Sequence, residues 1–478
     1  MPRVFLFLVL SFLVVLGATM SLAQTNHRKP PRTDGPELTG QVRLIMLAPG
    51  HFHAALVQKV MYPDVSPTVW VYAPAGPDLA EHRQRVAGYN TRSEQPTNWK
   101  EKLYTGDDFF ARMLAERRDE QRNVVVIAGN NREKTDYVRQ SLNAGLNVLA
   151  DKPMCIDAAG FEKLRAAFKT ATQKRLLLYD VMTERYEITT MLQKALVNDP
   201  AVFGRLVKGS LEQPAVTKQS VHHFFKNVSG KPLRRPAWFF DTAQQGEGLV
   251  DITTHLVDLI QWESFPEQSI ALKDIRMLRA RRWPTLITRE QFARVTGAEF
   301  PEYLRAQLNE DGALPDYSNG EMSYTLRGIH ARVSVSWNFA APPGAGDTHF
   351  SIMRGTKANV IIQQGSAESY RPELYVEAGD RKSRESQMSL AAALQKAVKK
   401  LQAVYPGLEL RREGTRWHVR IPERHRTDHE AHFGQVMEKF LTFLKQGKLP
   451  AWEVPNMIAK YYTNIKALEL AQRSANLK

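Results

Sequence analysis

A chain of 478 residues is too long for one ordinary domain and suits two with an appendage. Its balance of 43% hydrophobic and 24% charged residues is that of an ordered globular protein, which excludes disordered, collagenous and low-complexity classes. The formal net charge is +15, but the densest basic clusters, Arg279-Ala280-Arg281-Arg282 and Lys399-Lys400, are short, so a solvated surface is expected and no nucleic-acid partner.

The chain opens with Met1-Pro2-Arg3, then a nearly all-apolar run over residues 4–16, then Ser21-Leu22-Ala23. That pattern reads as a signal peptide over residues 1–23, with cleavage before Gln24, and implies an exported protein, periplasmic or extracellular. The uncharged span 4–25 is also long enough for a membrane anchor, which stays as the alternative; after cleavage no stable membrane insertion is expected. Cys155 is the single cysteine, so there is no internal disulfide and stability must come from packed cores. Residues 24–40 are polar and Pro-rich and read as a linker.

From residue 41 strands and helices alternate. Strands are expected over 43–47, 68–72, 124–128, 146–150 and 176–179, and helices over 53–61, 133–143 and 158–172. This rhythm implies an α/β, Rossmann-like nucleotide-binding domain over 41–180, with ligands at the carboxyl ends of parallel strands. After Asp180 a helix over 184–196 precedes a run of strands: 205–209, 275–281, 321–326, 331–338, 349–353 and 359–363. These imply an α+β domain over 181–380 with a largely antiparallel open sheet, which would serve substrate binding and oligomerisation. A small inserted helix over 288–296 is marked by a Thr288-x-x-Gln291 capping box and by Gly297. The C-terminal extension, 381–478, reads as a surface helix (386–404), a hairpin about Glu413-Gly414 and two helices (430–446, 454–473) whose apolar faces pack on the first domain.

Two stretches carry chemistry. Asp151-Lys152-Pro153 follows a strand, where a parallel sheet presents its ligands, and a lysine ammonium there can donate to a substrate oxygen. On a helix expected over 248–262, Asp251, His255 and Asp258 share an arc of roughly 60°. The helix is so apolar that such polar groups need partners. Trp238-Phe239-Phe240-Asp241 and a Gly-rich polar loop lead into it, as an aromatic wall approaches a sugar-sized site. Lysine plus an Asp/His pair one turn apart is equipment for removing an alcohol proton while hydride leaves. Each piece alone reads as an ordinary strand end or a structural hydrogen bond.

Together, Ala144-Gly145-Leu146-Asn147-Val148, Ala150-Asp151-Lys152-Pro153 and Gly246-Glu247-Gly248-Leu249-Val250-Asp251-Ile252-Thr253-Thr254-His255-Leu256-Val257-Asp258 resemble the Gfo/Idh/MocA (glucose–fructose oxidoreductase / inositol dehydrogenase) family, in an exported subgroup with an extra C-terminal region. The resemblance covers residues 42–365 and the final helices. It implies an oxidoreductase that binds NAD or NADP, which a recycling enzyme would hold tightly, and acts on a small carbohydrate or glycoside, as a homo-oligomer. Lys152 would orient the substrate hydroxyl, His255 would be the general base, and Asp251 would fix and tune that base. By position Pro49, Gly50, His51, Phe52, Asn130, Asn131, Asp151 and Lys152 would contact cofactor; Arg185, His222, His223, Trp238, Asp241, Asp251 and His255 would contact the sugar.

The chain also departs from the family. The glycine turn is Ala48-Pro49-Gly50-His51-Phe52-His53, with one glycine left; the second strand runs into Tyr72-Ala73-Pro74, without an acidic residue for the ribose; and Asp151 replaces the usual Glu. His51-x-His53 admits a metal reading, which its place at a strand-to-helix turn disfavours, so no metal is expected. Two further alternatives stay open: a glycosidase that recycles bound NAD through transient oxidation and elimination, and a carbohydrate-binding protein without catalysis.

Overall fold

A computed structural model describes residues 41–118, 122–228 and 231–475; the expected signal peptide and linker lie outside the described residues. The first half alternates as β1 (Arg43–Leu47), α1 (His53–Leu56), β2 (Thr68–Tyr72), α2 (Pro77–Thr91), β3 (Lys100–Tyr104), α3 (Phe109–Arg117), β4 (Asn123–Ile127), α4 (Lys134–Asn143), β5 (Asn147–Asp151), α5 (Ala158–Lys174) and β6 (Leu178–Val181). All six strands are parallel, in the order β3-β2-β1-β4-β5-β6. β4 and β5 are buried at every position, which is why they read as unbroken apolar runs. Between β1 and β4 the order reverses, and the crevice past their carboxyl ends is where such a sheet takes ligands.

α6 (Ile188–Val197) leads to β7 (Val216–Phe225), a short ribbon of β8 (Asn227–Val228) and β9 (Lys231–Pro232), then α7 (Thr242–Gln245) and α8 (Thr253–Ser264). There follow β10 (Ile275–Ile287), α9 (Arg289–Thr296), α10 (Glu302–Arg305), β11 (Leu314–Leu326), β12 (Ile329–Ala340), β13 (Thr348–Arg354), β14 (Ala358–Gln364), β15 (Glu373–Ala378), α11 (Arg384–Leu401), β16 (Glu409–Glu413) and β17 (Arg416–Arg420). These strands form one nine-stranded sheet, β10-β11-β12-β7-β13-β14-β15-β17-β16, antiparallel except where β7 meets β12. The fold class expected from sequence is therefore the one observed.

Of the last two helices, α12 (His429–Gln446) packs at the open edge of the first sheet at β6, and α13 (Glu453–Ala475) lies along β10 and α8 and reaches α5. Phe433, Met437, Phe440 and Leu444 of α12 are buried, and Phe440 and Phe443 pack on Tyr179 with ring centroids 6.2 and 5.6 Å apart. Each aromatic buried this way is worth about 1.5–3 kcal/mol. α13 adds Tyr461, whose hydroxyl donates to Asp180 at 2.8 Å.

Several elements differ from expectation. Residues 205–209 form no strand, only bridges at Leu206 and Gly209, because Gly204 and Gly209 turn the chain through positive φ. β3 was not expected: it is a polar edge strand, Lys-Glu-Lys-Leu-Tyr, with no apolar run to betray it. Helix α1 stops at Leu56 rather than reaching residue 61. β10 continues through Pro284 to Ile287; an edge strand with a register shift there needs no donor from the proline. The inserted α9 does carry the reciprocal Thr288/Gln291 capping box and Gly297 at φ +72°.

Candidate functional site

Lys152, one residue past β5, and Asp251, at the entrance to α8, meet across the first crevice. Lys152 Nζ donates to Asp251 Oδ1 at 2.5 Å, and both side chains are 7% exposed. The expected long helix begins later, at Thr253, and residues 248–252 form tight turns before it. Gly248 lets these turns pack on the β11 backbone, since a Cβ there would lie 1.9 Å from the carbonyl oxygen of Ser318. His255 sits on the first turn of α8, in the same cavity as Lys152 and Asp251. The expectation that Asp251 fixes His255 is corrected: the Asp251 carboxylate is held by the Lys152 ammonium, and the buried His255 Nδ1 has no hydrogen-bond partner. Burial, and then the Lys152 charge, lower His255 to about 4, so the imidazole is neutral and available as a base.

The cavity holds about 410 Å³ and lies between the two sheets' ends. One end is formed by the turn after β1. There His53 Nδ1 donates to Asp151 Oδ2 at 2.8 Å, and His51 Nδ1 lies 3.9 Å from the same oxygen. Burial lowers both imidazoles well below their usual value. The opposite wall comes from β7 and β12. His222 lines it and contacts Ser220 Oγ at 2.9 Å, beside Trp337. Arg235 lines it too, its guanidinium 4.6 Å from the Phe239 ring centroid and 5.1 Å from that of Trp337; burial lowers it to about 10.

Beside this cavity, a cleft of about 340 Å³ runs past the ends of β1, β2 and β4, lined by Ala48, Pro49, Gly50, Pro74, Asn130 and Arg132. The two spaces meet at Gly129, where a Cβ would lie 2.3 Å from the Ala48 carbonyl oxygen, so only glycine fits. Together they form one path from the cleft into the cavity, with the Arg132 guanidinium on its wall. The diphosphate turn itself differs from the usual one. The Gly50 and His51 amides both donate to Ala128 O at 3.2 Å, and a Cβ on Gly50 would lie 2.8 Å from the Asp78 carboxylate. Neither of these two amides is therefore free for a diphosphate.

Residues 238–245 strap across the cleft. Trp238 Nε1 donates to Asp78 at 2.8 Å, Asn130 Nδ2 to Gln244 Oε1 at 2.6 Å, and Asn131 Nδ2 to the Gln245 carbonyl at 2.7 Å. Trp238 and Asp241, expected to touch substrate, do not line the cavity; Asp241 caps α7 and accepts from Arg132 at 3.4 Å. His223 is likewise turned from it, bonded to Asp347 at 2.9 Å. Arg185 is the clearest correction. Its guanidinium forks onto Asp258 at 2.7 and 2.8 Å and reaches Glu453 at 3.1 Å, which ties α8 and α13 to the chain past β6 and leaves nothing for a ligand. His51, Phe52, Asn131, Asp151, Lys152, His222, Asp251 and His255 do line the cavity.

Sequence reasoning missed Glu184, Arg235, Asp347 and His429, all of which line the cavity. Glu184 pairs with His429 of α12 at 3.4 Å; burial alone would raise its carboxyl, and the imidazole contact holds it well below the usual range. The Arg234-Arg235-Pro236 run before the aromatic segment was a usable signal for Arg235. Nothing local marks His429, which arrives from the far end of the chain.

Comparison with known proteins bears on this arrangement. Residues 192–472 match the family described as "Putative oxidoreductase C terminal domain", and residues 78–179 match the Gfo/Idh/MocA family, described as "Oxidoreductase family, NAD-binding Rossmann fold". The second match begins beyond the altered glycine turn. A crystal structure of a "putative oxidoreductase" from Parabacteroides merdae is 52% identical over 91% of this chain and 98% of that chain, with a TM-score of 0.87. Levoglucosan dehydrogenase is similar at 14% identity, over 91% of this chain and 97% of that chain, with a TM-score of 0.57. A 3-ketoreductase from Actinomadura kijaniata, in complex with NADP, is similar at 14% identity, over 88% and 95%, with a TM-score of 0.52. The last two share the fold alone. No curated protein matches the chain.

Proposed function

The chain belongs to the Gfo/Idh/MocA oxidoreductases, and on that premise we propose that it removes hydride from a hydroxyl carbon of a sugar or glycoside with NAD or NADP as acceptor. The observation that carries the reading is the Lys152–Asp251 pair at 2.5 Å beside a neutral, unbonded His255, in one cavity at the carboxyl edge of the sheet. Lys152, fixed by Asp251, donates a hydrogen bond to the substrate hydroxyl oxygen and favours its alkoxide. His255 accepts the hydroxyl proton. The nicotinamide, when bound, supplies the acceptor for hydride. Arg132, Asn130 and the walls at Pro49 and Pro74 would hold the dinucleotide along the cleft. A cavity of about 410 Å³ with aromatic walls suits a small carbohydrate, and levoglucosan dehydrogenase, a relative in fold, is known in complex with NADH and levoglucosan.

The strap at Trp238, Gln244 and Gln245 favours a cofactor retained between turnovers, and with it a second reading: oxidation, elimination of the glycosidic bond, and return of hydride to the product. The apolar leader and Ser21-Leu22-Ala23 favour action outside the cytoplasm, and the open face of the second sheet favours a homo-oligomer. Cell fractionation and light scattering test these two points.

The function itself is tested by incubating the protein with NAD or NADP and a panel of sugars and glycosides. Reduced nicotinamide, or aglycone release without net reduction, supports one or the other reading. Binding of sugar with no nucleotide binding at all would replace both by a carbohydrate-binding role.

A further inference from the structure

We propose that His51, His53 and Asp151 form a site for one divalent metal ion of the zinc type, at the end of the cavity beside Lys152. One ligand atom from each of the three lies within 4.8 Å of the other two. Two strands build the cluster: the histidines stand on the turn after β1, and Asp151 ends β5. Both strands pair with β4, so the sheet fixes the three positions.

The donor atoms converge. His53 Nδ1 and His51 Nδ1 are 2.8 and 3.9 Å from the same Asp151 oxygen. The His53 backbone amide donates to His51 Nδ1 at 3.4 Å, a long hydrogen bond that the ion must displace to use that lone pair. A tetrahedral ion with bonds of about 2.0–2.1 Å sets its ligand atoms about 3.3 Å apart. His53 must therefore open from Asp151 by about half an ångström and His51 close by a similar amount, with loss of the His53 Nδ1 proton. Two imidazoles and a carboxylate suit zinc and its neighbours rather than magnesium or calcium.

The surroundings accept a dication. Among the described residues the cavity is lined by six carboxyl groups against three lysine or arginine cations. Of the neighbouring ammoniums, Lys152 is paired with Asp251, and Lys134, which donates to the Asp151 carbonyl oxygen at 3.1 Å, is lowered by burial to about 8. Since all three ligand residues line the cavity, at least one coordination position stays open to it, for water or a ligand hydroxyl. The same placement accounts for histidines in a turn where the family has glycines. It does not depend on hydride chemistry.

The test uses the full chain, purified without a histidine tag and stripped with a chelator. Zinc is titrated by calorimetry and cobalt by visible absorbance, with neither nucleotide nor sugar present. The site predicts one zinc per chain and intense cobalt bands of a four-coordinate ion. His51→Gln and His53→Gln should each weaken zinc binding at least about tenfold, while His222→Gln, in the same cavity, should leave it unchanged. Circular dichroism checks that each variant is folded. Absence of stoichiometric binding in the wild-type chain, or binding undiminished in the His51→Gln/His53→Gln double variant, would overturn the proposal. Neither result bears on nicotinamide reduction, which is measured separately.

Discussion

Lys152 and Asp251, 99 residues apart in sequence, form an ion pair of 2.5 Å that water hardly reaches. A pair this buried is costly to break, because removal of one partner strands the other charge, at about 3–5 kcal/mol. It also binds the end of the first sheet to the entrance of α8 at the cavity.

Lys152→Met should therefore lower both stability and turnover. The account predicts a fall in kcat/KM of at least about 100-fold. The double variant Lys152→Met/Asp251→Leu separates the two effects: urea unfolding should show stability largely restored, while activity stays lost. Recovery of activity in the double variant would contradict a catalytic role for the lysine.

His255→Ala should cost about 10²–10⁴ in kcat and leave sugar binding by calorimetry intact. In the wild-type enzyme, kcat/KM should hold at neutral pH and fall as pH drops through about 4, where His255 takes up a proton. A variant with the same acid limb as the wild type would show that another group titrates.

Arg185→Met tests the corrected residue. The guanidinium holds Asp258 and Glu453, so its loss should lower unfolding free energy by about 3–5 kcal/mol. The folded fraction should keep its KM for sugar. A large rise in KM with stability unchanged would restore Arg185 to the substrate site.

Stability should depend on pH through His255 and His432. Burial lowers each to about 4 in the folded chain, against about 6.5 when unfolded. The unfolded chain thus takes up protons first as pH falls. Their contribution is complete above about pH 6.5, erodes between 6.5 and 4, and levels off below. At pH 5.5 each imidazole should cost on the order of 1 kcal/mol, and His432→Gln should flatten the slope of Tm against pH in that window.

Much of this was legible in the sequence, for particular reasons. The Rossmann strands announced themselves because both faces of β4 and β5 are buried, and α9 because its caps are local chemistry. Lys152, Asp251 and His255 stand out in the sequence because strand end and helix start each carry a short motif, and the structure brings the three to one cavity. What was not legible depended on distance. Whether Asp251 would turn to His255, four residues on, or to Lys152 is decided by the turns at 248–252, which no periodicity reveals. Asp258 shares the helical arc of His255, yet Arg185 and Lys460 claim it from elements that only folding brings near. The polar β3 and the glycine-flanked segment at 205–209 were misjudged because edge strands need no apolar run and bridges need no strand.

The most direct test of the central claim is whether the protein carries or binds a nicotinamide dinucleotide. Protein purified from its native compartment is denatured, and released nucleotide is identified by mass spectrometry and absorbance; protein found empty is titrated with NAD and NADP. The account predicts released nucleotide, or saturable binding that Arg132→Ala weakens. Empty protein that binds neither dinucleotide would contradict it, and would leave the cavity to a sugar or a metal without hydride transfer.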